Sequence, residues 1–285
     1  MRYYIYNRLA THKKPRIEKD AILVGAIGLD YKKFFSELKP EDDVVIIGGD
    51  MSINHFIRKI NGQKVTNNVY VRAYGYGSDF VTDIGEKVTD DVLLNPYIEG
   101  LPMADIKKHH RPFINGVGFG VDGFCTATGD YIKAKDPSAR INYSTIAIKA
   151  LLYKYKPVHA AVEVDGQKYE YDNVWLAATM KGRYFGGGMK IAPDQNRNTD
   201  DHLTVIIYTA KSRLKALLKF TDVFNGTHVK NTEMVKVFTG KKVHMKFDRI
   251  GDAEIDGDTV KNIDEYWAEM KWRFIRHFLL NIILN

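Results

Sequence analysis

The chain has 285 residues, of which 45% are hydrophobic and 27% charged, so we expect a folded protein with two domains. One cysteine, Cys125, excludes an internal disulfide framework and indicates a reducing compartment, where we expect this side chain to be buried in packing. No run of about 20 apolar residues and no apolar signal-peptide core is present, so we expect a cytoplasmic protein without a membrane-spanning helix.

The formal net charge is +7 and the pI is near 9.1, which suits nucleic acid, an anionic membrane surface or a phosphate-rich small molecule as partner. The basic residues are spread along the chain, and no RNP, zinc-finger or basic-zipper pattern occurs. We therefore expect no nucleic-acid partner. A charge of this size is also common in proteins whose function does not depend on it.

The first part of the chain alternates short apolar runs with helical patterns. The predicted strands are 2–6, 21–27, 43–47 and 69–73, and the predicted helices are 31–38, 52–60 and 78–84. The run DVVII at 43–47 is typical of a strand buried in a parallel sheet. Two of the strands end in glycine turns that lead directly into helices. This order predicts an α/β domain over residues 1–112.

Beyond residue 110 the pattern changes to alternating strands. These are 158–164, 167–178, 203–208, 235–238 and 242–247, with predicted helices at 144–155 and 212–224. Asp165-Gly166 and Thr239-Gly240 stand where tight hairpin turns are expected. The sequence predicts an antiparallel, β-sandwich-like domain over 113–268. The last residues, 269–285, are expected to return to the first domain, with an amphipathic helix on a lipid surface as the alternative.

Four aspartates lie in or beside glycine-rich turns: Asp50 in GGDMS, Asp79 in GYGSDF, Asp122 in GFGVDG and Asp201 after GGGMKIAPDQNRNTD. Glycines at strand ends let backbone N–H groups approach phosphate oxygens, and neighbouring carboxylates can hold Mg²⁺ against those phosphates. The pattern favours a phosphate-binding cleft in which Asp50, Asp79 and Asp122 lie within about 10 Å of each other. Ordinary Gly-Asp turn chemistry is the alternative.

Other motifs carry less information. The segment 118–123 matches the dinucleotide pattern G-x-G-x-x-G, but it lies in mid-chain and not in a first βαβ unit. No P-loop or H-R-D catalytic loop occurs. His109-His110 is predicted to lie in a basic loop, because no third metal ligand accompanies the pair.

Five segments, taken in order, resemble a known family. VVIIGGDMSINHF resembles the GGDGT-I-N-E motif of the diacylglycerol kinase, sphingosine kinase and NAD kinase superfamily. AYGYGSDF, NGVGFGVDG, GRYFGGGMKIAPDQNRNTDDHLTV and AEIDGD are similar to later motifs of its bacterial lipid kinase branch, and the set spans roughly residues 40 to 260. The triple-glycine stretch favours the lipid branch over the NAD kinases.

The resemblance implies an ATP- and Mg²⁺-dependent kinase that phosphorylates the hydroxyl of diacylglycerol or a related lipid alcohol. Asp258 takes the place of the family's glutamate general base, and Asp50 is also implied in catalysis. Asp201 and Leu203 match a structural metal site. The implied nucleotide-binding residues are Gly48, Gly49, Asp50, Met51, Ser52, Gly75, Gly77, Ser78, Asp79, Gly118, Gly120 and Asp122.

The sequence departs from the family pattern at several of these positions. Met51 replaces a glycine, Tyr76 a threonine and Ser78 an asparagine, while Asp258 is one methylene shorter than glutamate. A glycine-like φ > 0 at Met51 would cost roughly 1–3 kcal/mol. Two alternatives therefore stay open: a catalytically silent nucleotide- or lipid-binding protein, and a kinase of a soluble acceptor such as NAD. The expected partners are ATP and a lipid at the inner membrane surface, and a homodimer is left open.

Overall fold

The computed structural model describes residues 1–7, 15, 17–60, 63–73, 78–86, 91–136, 138–199 and 201–270. Gly75, Tyr76 and Gly77 lie outside the described residues, and so does the tail 271–285.

The first sheet is an α/β layer near the N-terminus. Its strands, in the order β2-β1-β3-β4-β5, are β1 (Arg2–Tyr6), β2 (Ile22–Gly25), β3 (Asp43–Ile47), β4 (Val69–Arg72) and β5 (Asp91–Leu93). Its helices are α1 (Tyr31–Glu37), α2 (Asp50–Ile60), α3 (Asp79–Ile84) and α4 (Asn95–Ile98). Strands β1 to β4 are parallel and β5 is antiparallel to β4. The predicted α/β arrangement is confirmed.

Local sequence accounts for these elements. Strand β3 is central in the sheet, and its apolar run is buried because alternate residues pack into apolar clusters on the two faces of the sheet. Helix α2 buries Ile53, Phe56, Ile57 and Ile60, whose spacing matches the helical period. Ser78 caps α3, since its hydroxyl accepts a hydrogen bond from the Val81 amide.

The second sheet has nine strands and all its pairings are antiparallel. The strands are β6 (Met103–Ile106), β7 (His109–Pro112), β8 (Gly116–Gly120), β9 (Val158–Val164), β10 (Gln167–Met180), β11 (Leu203–Thr209), β12 (Val235–Gly240), β13 (Lys242–Ile255) and β14 (Asp258–Glu269). The long strands β10 and β13 each pair with β9 along one part of their length and with β8 along another. The predicted antiparallel β-rich domain is confirmed.

Helices cover one face of this sheet. They are α5 (Val121–Lys135), α6 (Tyr143–Lys149) with a π-helical continuation (Ala150–Lys154), α7 (Arg213–Phe220), α8 (Asp222–Asn225) and a 3₁₀ turn (Thr227–Lys230). One apolar core lies among the strands, and a second lies between the sheet and the helices. Cys125 is buried in α5, as predicted.

The structure differs from the sequence prediction in three places. Helix α5 was not predicted, because glycine and threonine within it have low helix propensity. Gly123 is needed there for contact, since a Cβ at this position would lie 1.8 Å from the Asp252 carbonyl oxygen of β13. Thr239-Gly240 does not close a hairpin, because β12 pairs with β11 while β13 pairs with β8, β9 and β14. His109 and His110 lie in strand β7 and not in a loop.

The change of sheet also comes earlier than the predicted boundary after residue 112. Strands β6 and β7 pair with each other, and β6 pairs with β14, so the second sheet begins at Met103. Glu269, at the start of the predicted returning tail, pairs with Met103 in this sheet. Such pairing between distant parts of the chain leaves no local sequence pattern.

Candidate active site

Asp50 is the first residue of α2, directly after the glycine turn that ends β3. Its carboxylate accepts hydrogen bonds from the Asp79 amide at 2.7 Å and the Phe80 amide at 2.9 Å. The Ser78 hydroxyl donates to it at 3.0 Å and the Asn115 side chain at 3.1 Å. Asp50 therefore joins the starts of two helices of the first layer and reaches Asn115, next to β8.

Asp79 connects the two halves of the molecule. Its carboxylate accepts hydrogen bonds from the Gly187 amide at 2.9 Å and the Gly188 amide at 2.7 Å, both in the triple-glycine turn. Burial, followed by the negative charge of Asp50, raises the pKa of Asp79 to about 7, and the two amides oppose this rise. The glycine turn thus serves as a donor to a protein carboxylate in this structure.

Asp122 lies in the first turn of α5, above strand β8. A Cβ at Gly118 would stand 1.8 Å from Asp122 Oδ2, so only glycine leaves room for this carboxyl group. Glu254 of β13 lies opposite Gly118 in the sheet, and paired residues of antiparallel strands point to the same face. Asp122 Oδ2 is buried and has no hydrogen-bond donor among the described residues.

Asp122 and Glu254 form a buried carboxyl pair. Burial raises the pKa of Asp122 to about 7, and the charge of Asp79 contributes to the rise. Burial, together with the charge of Asp122, raises the pKa of Glu254 well above its usual value. Because burial raises both pKa values, the pair as a whole keeps a proton at a pH where an exposed carboxyl group would have lost it.

Asp256 and Asp258 lie on the tight turn between β13 and β14. The buried Asp256 carboxylate accepts from the amides of Ile114, Asn115 and Gly116 at 2.7, 2.8 and 3.0 Å. Burial raises the pKa of Asp256 to about 6, although these donors oppose the shift.

Asp258, the predicted general base, is held by two arginines. Arg111 donates to its Oδ2 at 2.9 Å, and Arg58 of α2 donates to the same oxygen. Its side chain is 27% exposed, so an acceptor could reach it.

The segment from Gly48 to Met51 does not have the backbone conformation that the family resemblance implied at Met51. A Cβ at Gly48 would stand 2.0 Å from the Ser52 hydroxyl oxygen, while the Gly49 carbonyl accepts the Ser52 amide at 2.9 Å. Met51 is helical, is 55% exposed and is absent from the positive-φ residues of the described chain. The expectation of a strained backbone at Met51 is therefore wrong. Helix α2 begins one residue earlier, at Asp50, so Met51 has ordinary helical backbone angles. Gly120, in contrast, has φ of +104° at the turn into α5.

The predicted structural metal position is occupied by an ion pair. Asp201 Oδ2 lies 2.6 Å from Lys241 Nζ, and the Asp201 side chain is 78% exposed. Leu203 is fully buried in β11.

In the described part of the chain, no group of three or more histidine, cysteine, aspartate or glutamate side chains is placed to hold a metal ion. Each oxygen of Asp50 and Asp79 already accepts at least one hydrogen bond, and among the described residues no third side chain completes a ligand set with them, so these residues do not form a preformed Mg²⁺ site.

A buried ionic cluster closes the junction beside these residues. Asp83 of α3 accepts Arg183 Nε at 2.6 Å and Arg197 Nε at 2.5 Å. Arg197 also donates to the Ile114 carbonyl at 2.7 Å and to Asn115 Oδ1 at 2.8 Å. Asp83 and Arg197 are almost fully buried, so this cluster ties α3 to the second sheet in a region of low dielectric constant.

Sequence reasoning missed several residues of the junction: Arg58, Asp83, Arg111, Arg183, Arg197 and Glu254. Arg183, Arg197 and Glu254 stand within the quoted segments GRYFGGGMKIAPDQNRNTDDHLTV and AEIDGD, where a charged side chain near other site residues was the available signal. Arg58 lies one helical turn after Asn54, on the side of α2 that contacts the Asp256 turn. No pattern in the sequence indicated which side of α2 contacts the second sheet.

The fold and the site together define a class of protein: a mainly parallel α/β layer and an antiparallel β domain that meet at a carboxylate-rich junction. The family described as "YegS C-terminal NAD kinase beta sandwich-like domain" matches residues 115–266. The chain belongs to this family, that of the bacterial diacylglycerol kinase-like lipid kinases, as the sequence motifs predicted.

Individual relatives agree with this assignment. A protein named "Diacylglycerol kinase" from Mycobacterium tuberculosis (strain ATCC 25618 / H37Rv) is 26% identical over 231 residues, covering 77% of this chain and 71% of the relative. The crystal structure of a diacylglycerol kinase from Bacillus anthracis str. Sterne has a TM-score of 0.66 at 16% identity, covering 95% of this chain and 94% of that one. At this identity the structural likeness shows the fold alone. None of the helices within the described residues is long and apolar enough to cross a membrane.

Proposed function

We propose that this protein transfers the γ-phosphoryl group of ATP to the hydroxyl of diacylglycerol or a related lipid alcohol. The observation that carries the proposal is the convergence of Asp50, Asp79 and Asp122 at the junction of the two sheets, in a chain of the lipid kinase family. Kinases of this kind work by positioning the reactants and neutralising charge. In the proposed site the glycine turns and the carboxylates of both sheets position the reactants, and Mg²⁺ bound with the phosphates would neutralise their charge.

In the proposed reaction the acceptor oxygen attacks the γ-phosphorus, the bond to the β–γ bridging oxygen breaks and ADP leaves. Asp258, which Arg111 and Arg58 hold in place through Oδ2, takes the hydroxyl proton. Gly48, Gly49 and Ser52, with Ser78 and Asp79, form the proposed phosphate-binding side. Asp122 and Glu254, the buried pair whose pKa values are both raised, form the opposite wall.

We propose that Mg²⁺ enters the site with the phosphates of ATP. The carboxylates of Asp50 and Asp79 are engaged with amides, so the protein offers no preformed set of ligands. Mg²⁺ commonly keeps several waters and binds proteins through one or two carboxylates plus substrate phosphates. We further propose that the protein acts in the cytoplasm at the inner membrane surface, where its lipid acceptor lies.

A second candidate function is that of a catalytically silent nucleotide- or lipid-binding protein. It is favoured by the contacts of Asp258, whose Oδ2 receives two guanidinium donors. A soluble acceptor such as NAD is a third candidate, from the motif shared with NAD kinases.

Thin-layer analysis with γ-labelled ATP separates the three candidates. The panel contains diacylglycerol, other lipid alcohols and NAD, each with and without Mg²⁺. We expect a labelled phospholipid from diacylglycerol or a related alcohol only when Mg²⁺ is present. A labelled NAD product would replace the lipid proposal. Tight ATP binding in calorimetry without any labelled product would support the silent protein.

A further inference from the structure

Exposed apolar side chains are concentrated on one helical face of the second domain. Fifteen large apolar side chains are exposed among the described residues, and five of them fall within two short segments, 143–156 and 211–220. These five are Ile148, Leu152, Tyr153, Leu214 and Leu218. We name the surface made by these two segments the helical face. Such a concentration of exposed apolar groups marks an interaction surface more often than scattered single residues do.

The exposure follows from helical geometry. Leu214 and Leu218 are four residues apart on α7 and are each 65% exposed, whereas Ala216 and Phe220, on the opposite side, are buried in the core. Ile148 and Leu152 have the same four-residue spacing in the neighbouring segment. The apolar side chains therefore lie on the outer side of each segment.

The two segments lie side by side. Arg213 at the start of α7 donates to the Leu151 carbonyl at 3.0 Å. Helix α6 packs in turn against α5, where Gly129 leaves space for the Tyr143 ring. Helix α5 begins beside Asp122, so the helical face and the proposed site are joined by one rigid element.

All the charged side chains within the two segments are basic. Segments 143–156 and 211–220 contain seven lysine or arginine residues and no aspartate or glutamate. Arg249 adds another cation, since it donates to the Lys156 carbonyl. Asp222, just beyond α7, lies 3.6 Å from Lys219 and partly offsets its charge. Apolar side chains flanked by lysines suit a bilayer with anionic headgroups, because the apolar groups enter the acyl boundary while the lysines reach phosphates.

We propose that the helical face docks the protein onto an anionic phospholipid bilayer. This inference rests on the proposed function, because it names the surface through which the protein approaches an acceptor embedded in the membrane. A second copy of this chain is a poorer occupant, because pairing the face with itself brings seven positive charges on each side together.

Vesicle flotation of the full-length protein tests the docking. The vesicles contain either phosphatidylcholine alone or phosphatidylcholine with phosphatidylglycerol. The test variant is Leu214→Ser with Leu218→Ser, and the matched control is Ile250→Ser with Val237→Ser, which are exposed apolar residues of β13 and β12. We expect the parent and the control to bind anionic vesicles and the test variant to bind at least about tenfold more weakly. A second variant, Lys149→Glu with Lys215→Glu, should weaken binding to the vesicles that contain phosphatidylglycerol and should not change binding to phosphatidylcholine vesicles.

Companion measurements keep this test separate from the proposed kinase activity. All variants are assayed on short-chain diacylglycerol in detergent micelles, where bilayer docking is not needed. Equal micellar activity with lost vesicle binding supports the docking. Micellar activity without vesicle binding by the parent overturns the docking and leaves the proposed function standing. Vesicle binding that depends on Leu214 and Leu218, without activity on any acceptor, supports the docking and contradicts the proposed kinase function. A parent dimer in sedimentation that Leu214→Ser with Leu218→Ser dissociates, with unchanged vesicle binding, would assign the face to self-association instead.

Discussion

Two groups of carboxylates that meet at the junction of the sheets have different surroundings. On the first-layer side, the oxygens of Asp50 and Asp79 accept hydrogen bonds from backbone amides of α3 and of the triple-glycine turn. On the second-sheet side, Asp122 faces another carboxyl group, Glu254, above a glycine that has no side chain. All three aspartates follow or lie within glycine-rich motifs, so the sequence presents them as alike.

The difference shows how surroundings decide what a carboxyl group can do. A carboxylate that accepts several amide hydrogen bonds fixes the backbone that supplies them, because breaking the set leaves buried donors unpaired. A buried carboxyl pair with few donors is stabilised by sharing a proton. The first group therefore positions the loops of the junction, and the second group retains a proton beside the proposed phosphate site.

The largest effect is expected at Asp258, which stands outside both groups. Asp258→Asn keeps the shape but cannot accept a proton, so we expect kcat for lipid phosphorylation to fall at least about 100-fold. The affinity for ATP, measured by calorimetry, should change little. Asp264→Asn, at an exposed position of the same hairpin, is the control. Unchanged turnover in Asp258→Asn would remove this residue from the mechanism.

Asp50→Asn tests the positioning role of the first group. The amide nitrogen of asparagine would face donors that now contact a carboxylate oxygen. We expect the free energy of unfolding in urea to fall by roughly 2–4 kcal/mol, together with activity. The exposed Asp20→Asn should leave stability within about 0.5 kcal/mol of the parent. If Asp50→Asn unfolds at the urea concentration of the parent, its hydrogen bonds do not hold the junction.

Glu254→Gln tests the proton-sharing pair. Because the folded-state pKa values of Asp122 and Glu254 are raised, the folded protein keeps protons that the unfolded chain releases above about pH 4 to 5. The resulting stability is complete below the unfolded pKa values and is lost as the pH rises through about 7. Glutamine donates a hydrogen bond without titrating. From pH 5 to pH 8 the variant should therefore gain on the order of 1–2 kcal/mol relative to the parent.

The measurement for this pair is urea unfolding at several pH values between 5 and 8. The exposed Glu233→Gln should follow the parent at every pH. A constant difference between Glu254→Gln and the parent across this range would show that no proton is shared in the folded state.

The smallest effect is expected for Met51→Gly. Since Met51 is already helical and exposed, glycine relieves no backbone strain there. We expect the Kd for ATP with Mg²⁺ to change less than about threefold and stability to fall by at most about 1 kcal/mol, the helix cost of glycine. Calorimetry on both proteins is the check. A much tighter complex with glycine would mean that the Met51 side chain occupies phosphate space.

The sequence predicted the parts of the fold that local patterns control. Strands β1 and β3 have the predicted bounds, because their apolar runs are short and bounded by turn residues. Helix α2 was predicted from its apolar period, with a start two residues late. Helix α5 was missed because its glycines lower helix propensity, and only contact with β13 explains why Gly123 is there.

Composition and motif order by themselves determined the two-domain α/β and antiparallel β architecture, the family and the set of glycine-turn aspartates. Only the tertiary structure decided that Asp50 and Asp79 are bound by amides, that Asp122 meets Glu254 and that Asp258 lies between two arginines. Motifs report residue types and spacing along the chain. Protonation and hydrogen bonding depend on burial and on partners that are distant in the sequence, such as Arg58 and Asp258, which are 200 residues apart and are brought together by packing of the two sheets.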